Sequence, residues 1–397
     1  MAVEAQSPVG ASVPAGVSII IPTFREAENL PLLLPRIAQT MRARGWNWEV
    51  IVVDDDSADG TEQTLHTLAE TFPQLRWTIR KQDRGLSSAV LHGLGSARFP
   101  HLVVMDADLS HPPESIPALV DVLLNHQADF AVGSRYVPGG RTEDWSAFRW
   151  LNSAVATLLC KPLVGKLRDP MAGFFAIRRS VLENSDTLNP IGYKIGLELI
   201  VKCHLRQVTE VPIVFANRVH GESKLSLREQ FRYLEHLSRL YDYQFPRASP
   251  RAKFLIAAAC GAAACLGIVK VMHGSLNYDF PLAMATGLLG LIGVTLAFFA
   301  RYVSTQRPFL DMQRPFGEFI EISTAEFFSG WTFACLTDSN SAMVRAGVGL
   351  TVLLLVRYAM RKVFRHDLRG IRGVPKDAAA VRVHFAPQTP ASKAASA

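Results

Sequence analysis

Short apolar runs, each halted by proline or by acids, constrain this chain more than any other feature. Val17-Ser18-Ile19-Ile20-Ile21 stops at Pro22, and Trp48-Glu49-Val50-Ile51-Val52-Val53 stops at Asp54-Asp55-Asp56. Val103-Val104-Met105 stops at Asp106-Ala107-Asp108. Runs this short and this apolar read as strands buried on both faces. Helical stretches separate them, from Thr23-Phe24-Arg25-Glu26 to about Arg44, from Asp59-Gly60-Thr61 onward, and from Gly85 to Ala97, with a weaker strand over Leu75 to Arg80. That alternation predicts an α/β, Rossmann-like domain: a parallel sheet with helices on both faces. No G-x-G-x-x-G follows the first run and no G-x-x-x-x-G-K-[ST] occurs, which excludes a dinucleotide fingerprint and a P-loop.

The strand ends carry the chemistry. In an open α/β sheet, ligands bind outside the carboxyl ends of the strands. Two carboxylates one residue apart, Asp106 and Asp108, can hold a divalent metal, and the metal can hold a diphosphate. An acid ending the second strand can accept hydrogen bonds from a base or ribose. Alone, each feature also reads as structure, the D-x-D more readily so: a solvated turn for Asp106 and Asp108, a helix cap for Asp54 to Asp56. Together they describe a nucleotide-sugar site.

Composition divides the chain. Only 19% of its 397 residues are charged and 49% are hydrophobic, which points to a membrane part. The net charge of +7 suits anionic lipid or a phosphorylated substrate, and no nucleic-acid-binding module is legible. The five cysteines show no C-x-x-C spacing and read as small buried hydrophobes. Residues 1–16 lack a basic start and a long apolar core, so they are expected to be a disordered lead and not a signal peptide, leaving the first domain in the cytosol.

Several motifs in order carry a family resemblance. Ile-Ile-Ile-Pro-Thr-Phe, Val-Asp-Asp-Asp-Ser-Ala-Asp-Gly-Thr, Arg84-Gly85-Leu86, Met-Asp-Ala-Asp-Leu-Ser-His-Pro-Pro-Glu and Gly133-Ser134-Arg135-Tyr136 resemble a GT-A glycosyltransferase of the inverting family 2 type. Asp169-Pro170-Met171-Ala172-Gly173-Phe174-Phe175-Ala176, Asn189-Pro190-Ile191-Gly192-Tyr193-Lys194 and Arg218-Val219-His220-Gly221-Glu222-Ser223-Lys224-Leu225 resemble the polyprenol-phosphate (dolichol-phosphate) mannose synthases. The resemblance covers roughly residues 17 to 240. It implies that Pro22, Phe24, Glu26, Val53 and Asp55 cradle the nucleobase and ribose. Asp106, Ala107 and Asp108 fall on the diphosphate and its Mg2+ or Mn2+. Lys194, Arg218 and Lys224 fall on the donor, and Arg135, Arg149 and Ser153 on a lipid phosphate. Asp108 and Arg135 stand as the catalytic pair. The family commonly has Gln two residues after the second Asp; here Ser110 takes that place as a shorter third metal ligand. His111 reads as turn or cap structure, and His220 as a phosphate contact.

The second half turns to the membrane. Leu227, Phe231, Leu234, Leu237 and Tyr241 recur at helical spacing with basic residues between, which predicts an interfacial helix over 226–250, a core helix of the catalytic domain being the rival reading. Phe254 to Val269 and Phe280 to Ala300 read as spans; Phe319 to Leu336 and Ala342 to Met360 are weaker. Basic clusters fall before the first, after the second and after the fourth, so four spans put all three in the cytosol, and two spans with interfacial helices is the alternative. Glu318, Glu321 and Glu326 fit either a polar groove between helices or an amphipathic surface. The arrangement over 251–366 weakly resembles a GtrA-type membrane domain. The Ala-, Pro-, Ser- and Lys-rich tail, 367–397, is expected to be disordered.

These readings converge on a multi-pass membrane enzyme with a cytosolic catalytic domain over 17–225. By the resemblance, it transfers one mannose from GDP-mannose to a polyprenyl phosphate. The same reaction with UDP-glucose or another nucleotide sugar is the close alternative. A processive polysaccharide synthase would carry Q-x-x-R-W after the D-x-D, whereas Gln74-Leu75-Arg76-Trp77 has other spacing and precedes it. A reading of another class is a non-catalytic carrier of lipid-linked sugar.

Overall fold

In the computed structural model, which describes residues 15–125, 127–143, 147–217, 227–302, 313–364, 383 and 385, the apolar runs are strands. β1 (Gly16–Thr23), α1 (Leu30–Arg44), β2 (Asn47–Asp54), α2 (Thr61–Thr71), β3 (Leu75–Ile79), α3 (Leu86–Ser96) and β4 (His101–Val104) follow in order. α4 (Ile116–Leu124), β5 (Phe130–Ser134), β6 (Arg141–Thr142), α5 (Ala147–Val164), β7 (Phe175–Arg178), α6 (Arg179–Glu183), α7 (Ile195–Lys202), β8 (Val208–Pro212) and β9 (Val214–Phe215) continue. α8 (Leu227–Gln244) leads to α9 (Ser249–Val269), α10 (Phe280–Tyr302), α11 (Gln313–Leu336) and α12 (Ala342–Phe364). The chain divides into two compact units, Met1–Leu240 with Ala379–Ala397, and Tyr241–Ala378.

The first unit is built on a seven-stranded sheet of order β3-β2-β1-β4-β7-β5-β8, with β6 and β9 forming a small ribbon. Alternate residues of the strands fill two cores. Ile19, Ile21, Val50, Val52 and Val103 face one side with Leu33, Leu34, Ile37 and Met41 of α1. Ile20, Ile51, Val53, Leu102 and Val104 face the other with Val90 and Leu94 of α3. That period of two, covered on both faces, is what the apolar runs required. Each fully buried Ile or Leu contributes roughly 1.5–3 kcal/mol. α1 presents its apolar residues at helical spacing and ends at Gly45, whose φ of 62° is the left-handed cap that glycine adopts without strain.

The sheet is not wholly parallel: β7 runs antiparallel to both β4 and β5. The chain reaches β7 from the C-terminal edge of the parallel strands, so the next strand must run back. The register pairs Phe175 with Val104 and Arg178 with His101. The loop before β7, with Asp169 to Gly173, therefore lies beside the end of β4.

α8 belongs largely to the first unit. His236 Nε2 meets Glu198 Oε2 of α7 at 2.6 Å, and Tyr233 Oη donates to the Ala156 carbonyl of α5 at 2.6 Å. Tyr233, His236 and Leu237 are buried while Phe231 is exposed. Of the expected stripe, Leu237 faces inward and Leu234 and Tyr241 are half-buried, whereas Phe231 points out; the buried Glu198 holds His236 inward beside Leu237. Val383 and Phe385, within the tail expected to be disordered, pack against the second core.

In the second unit α9 packs along α10 and α11 along α12. Arg251–Ser275 and Phe280–Phe298 are long and apolar enough to cross a membrane. α11 and α12 occupy the two weaker segments. A Cβ on Gly349 would lie 2.5 Å from the Gly330 carbonyl, so these helices meet backbone to backbone, as small residues allow. Arg345 donates to the Ala334 and Cys335 carbonyls at the end of α11 and lies over the Phe280 ring. Glu326 is buried and Glu321 is exposed.

Candidate active site

Beyond β4 the chain folds into a tight turn. Leu109 takes a φ of 63°, and Ser110 donates to Asp108 Oδ1 through its amide at 3.1 Å and its hydroxyl at 2.5 Å. The Asp106 amide donates to His111 Nδ1 at 3.0 Å, which leaves the imidazole proton on Nε2. Burial pushes the His111 pKa down, against the pull of Asp106 and Asp108, and the ring stacks on Phe174 at 5.3 Å. His111 is thus a neutral brace for the Asp106 backbone, in line with the turn or cap role expected. Asp108 is nearly buried, whereas the Asp106 side chain is 34% exposed. Gly173 abuts it: a Cβ there would lie 3.3 Å from Asp106 Oδ2.

Among the described residues no group of three or more His, Cys, Asp or Glu side chains could hold a metal. Asp106 and Asp108 fit a different pattern, in which one or two carboxylates and the oxygens of a bound phosphate share the ion. Mg2+ or Mn2+ suits that all-oxygen set. The Ser110 hydroxyl, expected as a third ligand, is directed to Asp108 and orients it.

Two cations and a third acid complete the group. Arg135 donates to Asp169 through its amide at 3.0 Å, Nε at 2.7 Å and Nη2 at 2.7 Å. Burial opposes its charge, and the Asp169 hydrogen bonds and charge outweigh that and raise the Arg135 pKa. Lys194 is half-buried, donates to the Met171 carbonyl at 2.9 Å and lies 4.5 Å from the Tyr193 ring centroid. Burial, then the nearby Arg135 charge, pushes its pKa down to about 8, although Asp169 and Asp106 pull the other way. Asp106, Arg135, Asp169 and Lys194 therefore share one electrostatic neighbourhood. Tyr136 reaches α5 through a 2.8 Å bond to Ser153, with Arg149 one turn earlier on the same helix.

The acids ending β2 take separate roles. Asp54 is held by the Thr23 hydroxyl at 3.0 Å and by Ser57, which ties the ends of β1 and β2. Asp55 is paired with Arg80 and accepts from the Gly85 amide at 2.7 Å. Asp56 pairs with Arg84. At the start of α2, where Gly60 is the cap, it is Asp59 that accepts from the Thr61 amide and hydroxyl. Pro22, Phe24 and Glu26 lie at and just beyond the end of β1, with Phe24 exposed and Glu26 bonded to Asn29. The Val53 and Ala107 side chains are buried in the two cores. Arg218, His220 and Lys224 lie outside the described residues.

One feature escaped the sequence reading. α5 exposes Trp150, Leu151, Val155, Leu158 and Leu159, a stripe at helical spacing that its sequence already contains. Apolar periodicity alone does not say whether such a face meets a core or a lipid surface.

Residues 18–185 match the family model for glycosyl transferase family 2. Over 231 residues the chain is 44% identical to the dolichol-phosphate mannosyltransferase of Pyrococcus furiosus, covering 57% of this chain and 64% of that one. It is 40% identical over 237 residues to the Saccharomyces cerevisiae protein of the same name, covering 57% of this chain and 88% of that one. The chain belongs to glycosyl transferase family 2. As a family 2 member it is a glycosyltransferase, and the carrier reading falls away. Among solved structures, glucosyl-3-phosphoglycerate synthase from Mycobacterium tuberculosis in complex with Mn2+ and UDP-glucose aligns at 18% identity. That alignment has a TM-score of 0.44 and covers 57% of this chain and 79% of that one. So slight a likeness bears on neither substrate nor metal of this family 2 enzyme.

Proposed function

We propose that this glycosyltransferase moves a single mannose from GDP-mannose to the phosphate of a polyprenol such as dolichol or undecaprenol phosphate, with inversion, at the cytosolic face of a membrane. The observation that carries the reading is the meeting of Asp106 and Asp108 with Arg135 and Lys194 at the C-terminal edge of the sheet, in a chain whose relatives are named dolichol-phosphate mannosyltransferases.

Asp106 and Asp108 would hold Mg2+ or Mn2+, which when bound offsets the charge growing on the leaving diphosphate. Ser110 keeps Asp108 in its rotamer, and His111 keeps the Asp106 backbone in place. Lys194, protonated at neutral pH because its pKa of about 8 lies above it, adds a positive charge beside the same site. Arg218 and Lys224 are assigned to the same diphosphate. A phosphate monoester has a second pKa of about 6, so the acceptor arrives mostly ionised and needs orientation more than a base. Arg149 and Ser153 on α5, with Arg135 behind them, suit that orienting role. Direct attack by the acceptor oxygen on the anomeric carbon turns an α-linked donor sugar into a β-linked product.

The exposed stripe of α5 supports a lipid acceptor. Trp150, Leu151, Val155 and Leu158 can enter the headgroup region while Arg149 and Ser153 meet a phosphate there. The two apolar helices of the second unit fit an enzyme held at a bilayer.

The test is a membrane-extract assay with labelled GDP-mannose or UDP-glucose, with and without polyprenyl phosphate and EDTA. The expected result is GDP-mannose-specific label in lipid, dependent on polyprenyl phosphate, lost with EDTA and lost in Asp108→Ala. Transfer from UDP-glucose instead would change the sugar while keeping the site. Full activity in Asp108→Ala would sink the assignment.

A further inference from the structure

The second core of the catalytic unit is completed by the far end of the chain. Val383 and Phe385 pack against it, and the Phe385 ring lies 4.0 Å from the Arg179 guanidinium. The Arg179 seat is rigid: its guanidinium donates to Glu183 at 2.9 Å and to the Ala97 carbonyl at 3.2 Å, and the residue is buried. Arg179 opens α6 directly after Arg178, which is registered with His101 at the start of β4. The seat is therefore at the sheet edge opposite Asp106. Val383 and Phe385 are two residues apart, and an extended segment presents such residues to one side.

We propose that the C-terminal tail is an intramolecular clip, with Val383 and Phe385 docked on the Arg179 seat of the catalytic unit, and that this fixes the parity of membrane crossing. The chain leaves the catalytic unit after Leu240 and is back against it at Val383. Whatever bilayer residues 241–378 cross, they cross an even number of times. With α9 and α10 as spans, α11 and α12 cross together or not at all. The docking rests on contacts within the catalytic unit alone; the parity rests also on the membrane reading.

The connection is long enough. Eighteen residues lie between Phe364 and Val383, a reach of roughly 65 Å when extended. A unit of this size is on the order of 45 Å across. Charge agrees with the parity: between Arg361 and Arg382 the chain has seven Lys and Arg against two Asp, a segment retained on the cytosolic side.

Two measurements on the full-length protein test this. Trypsin cleavage after Arg382, followed by mass spectrometry in detergent, is expected to be at least tenfold faster in Phe385→Asp than in the unaltered chain. Cleavage after Lys393 serves as the internal reference. Equal rates at Arg382 would overturn the clip; Phe385→Asp alters the tail and leaves the catalytic fold's own residues in place. Reporters fused before Met1 and after Ala397 are expected on the same side of the membrane, and opposite sides would overturn the parity. Neither readout depends on which sugar is transferred.

Discussion

Replacing Asp169 with Asn isolates the electrostatics of the site from its chemistry. Asp169 is fully buried and the Arg135 side chain only 10% exposed. The Asp169 carboxylate receives three donors, all from Arg135, while the Asp169 amide donates to Glu210 Oε1 at 2.9 Å. Asn keeps the shape, loses the charge, and turns an amide N–H toward a guanidinium that cannot give up its proton. Breaking one side of a buried pair costs about 3–5 kcal/mol. At about 2–4 °C per kcal/mol for a unit of this size, the thermal midpoint falls by roughly 6–20 °C. The double replacement Arg135→Met with Asp169→Leu removes both charges and is expected to regain most of that loss, because both ions' desolvation is relieved. Thermal unfolding of the purified full-length protein in one detergent measures all variants. If Asp169→Asn costs less than about 1 kcal/mol, or the double variant is no more stable than the single, the pair is not the buried ionic clamp described here.

Three further outcomes follow from the same geometry. Lys194, with its pKa lowered to about 8, loses its charge as pH rises through that value, so binding of GDP should weaken several-fold from pH 7 to 9; Lys194→Met should bind more weakly at pH 7 and show no such change, by calorimetric titration. Burial alone would raise the Glu198 pKa, but its bond to His236 and the His236 and Lys202 charges hold it down to about 2. The stability it supplies is therefore present above about pH 4.5 and lost as pH falls toward 2; Glu198→Gln should cost about 3 kcal/mol at pH 7 and flatten acid unfolding in that window. Gly173→Val should crowd the Asp106 carboxylate and reduce transfer at least tenfold while shifting the thermal midpoint far less than Asp169→Asn does, since the side chain meets Asp106 and His111 at the rim of the core.

What the sequence disclosed, and what it withheld, divides by range. β1, β2 and β4 were legible because burial on both faces leaves a local signature, and the D-x-D because it interrupts one. β7 was not, since its direction depends on where the preceding loop lies and not on its own four residues. The Arg135–Asp169 pair joins residues 34 apart, and no local pattern announces it. α8 shows the same limit: its spacing reads as a helix, but which residues turn inward is set by Glu198 of α7 through His236. Ser110 stands where the family commonly has Gln near the metal, and its bond to Asp108 adds an orienting role that the resemblance does not disclose. The tail is the opposite case, where a composition typical of disorder conceals Val383 and Phe385 at alternating positions.

The five acids at the ends of β2 and β4 look alike in sequence but differ in how their charge is balanced. Asp55 and Asp56 are matched by Arg80 and Arg84. Around β4, Asp106, Asp108 and Asp169 face Arg135 and Lys194, with His111 held neutral by burial. Among the described residues, three carboxylates stand against two cations, a balance of one net negative charge that opposes a diphosphate. Two unit charges about 6 Å apart at an effective dielectric of about 20 interact by about 3 kcal/mol, so this balance weighs heavily on donor binding. A divalent cation on Asp106 and Asp108 would turn the balance of these described groups to one net positive charge. GDP binding to the full-length protein, followed by calorimetry, should therefore weaken at least tenfold when EDTA replaces Mg2+ or Mn2+. In Asp108→Ala the same replacement should have little effect, because the cation has lost a ligand. Binding of GDP that is indifferent to EDTA in the unaltered protein would show that Lys194, Arg218 and Lys224 suffice for the diphosphate, and that the Asp106 and Asp108 pair has another purpose.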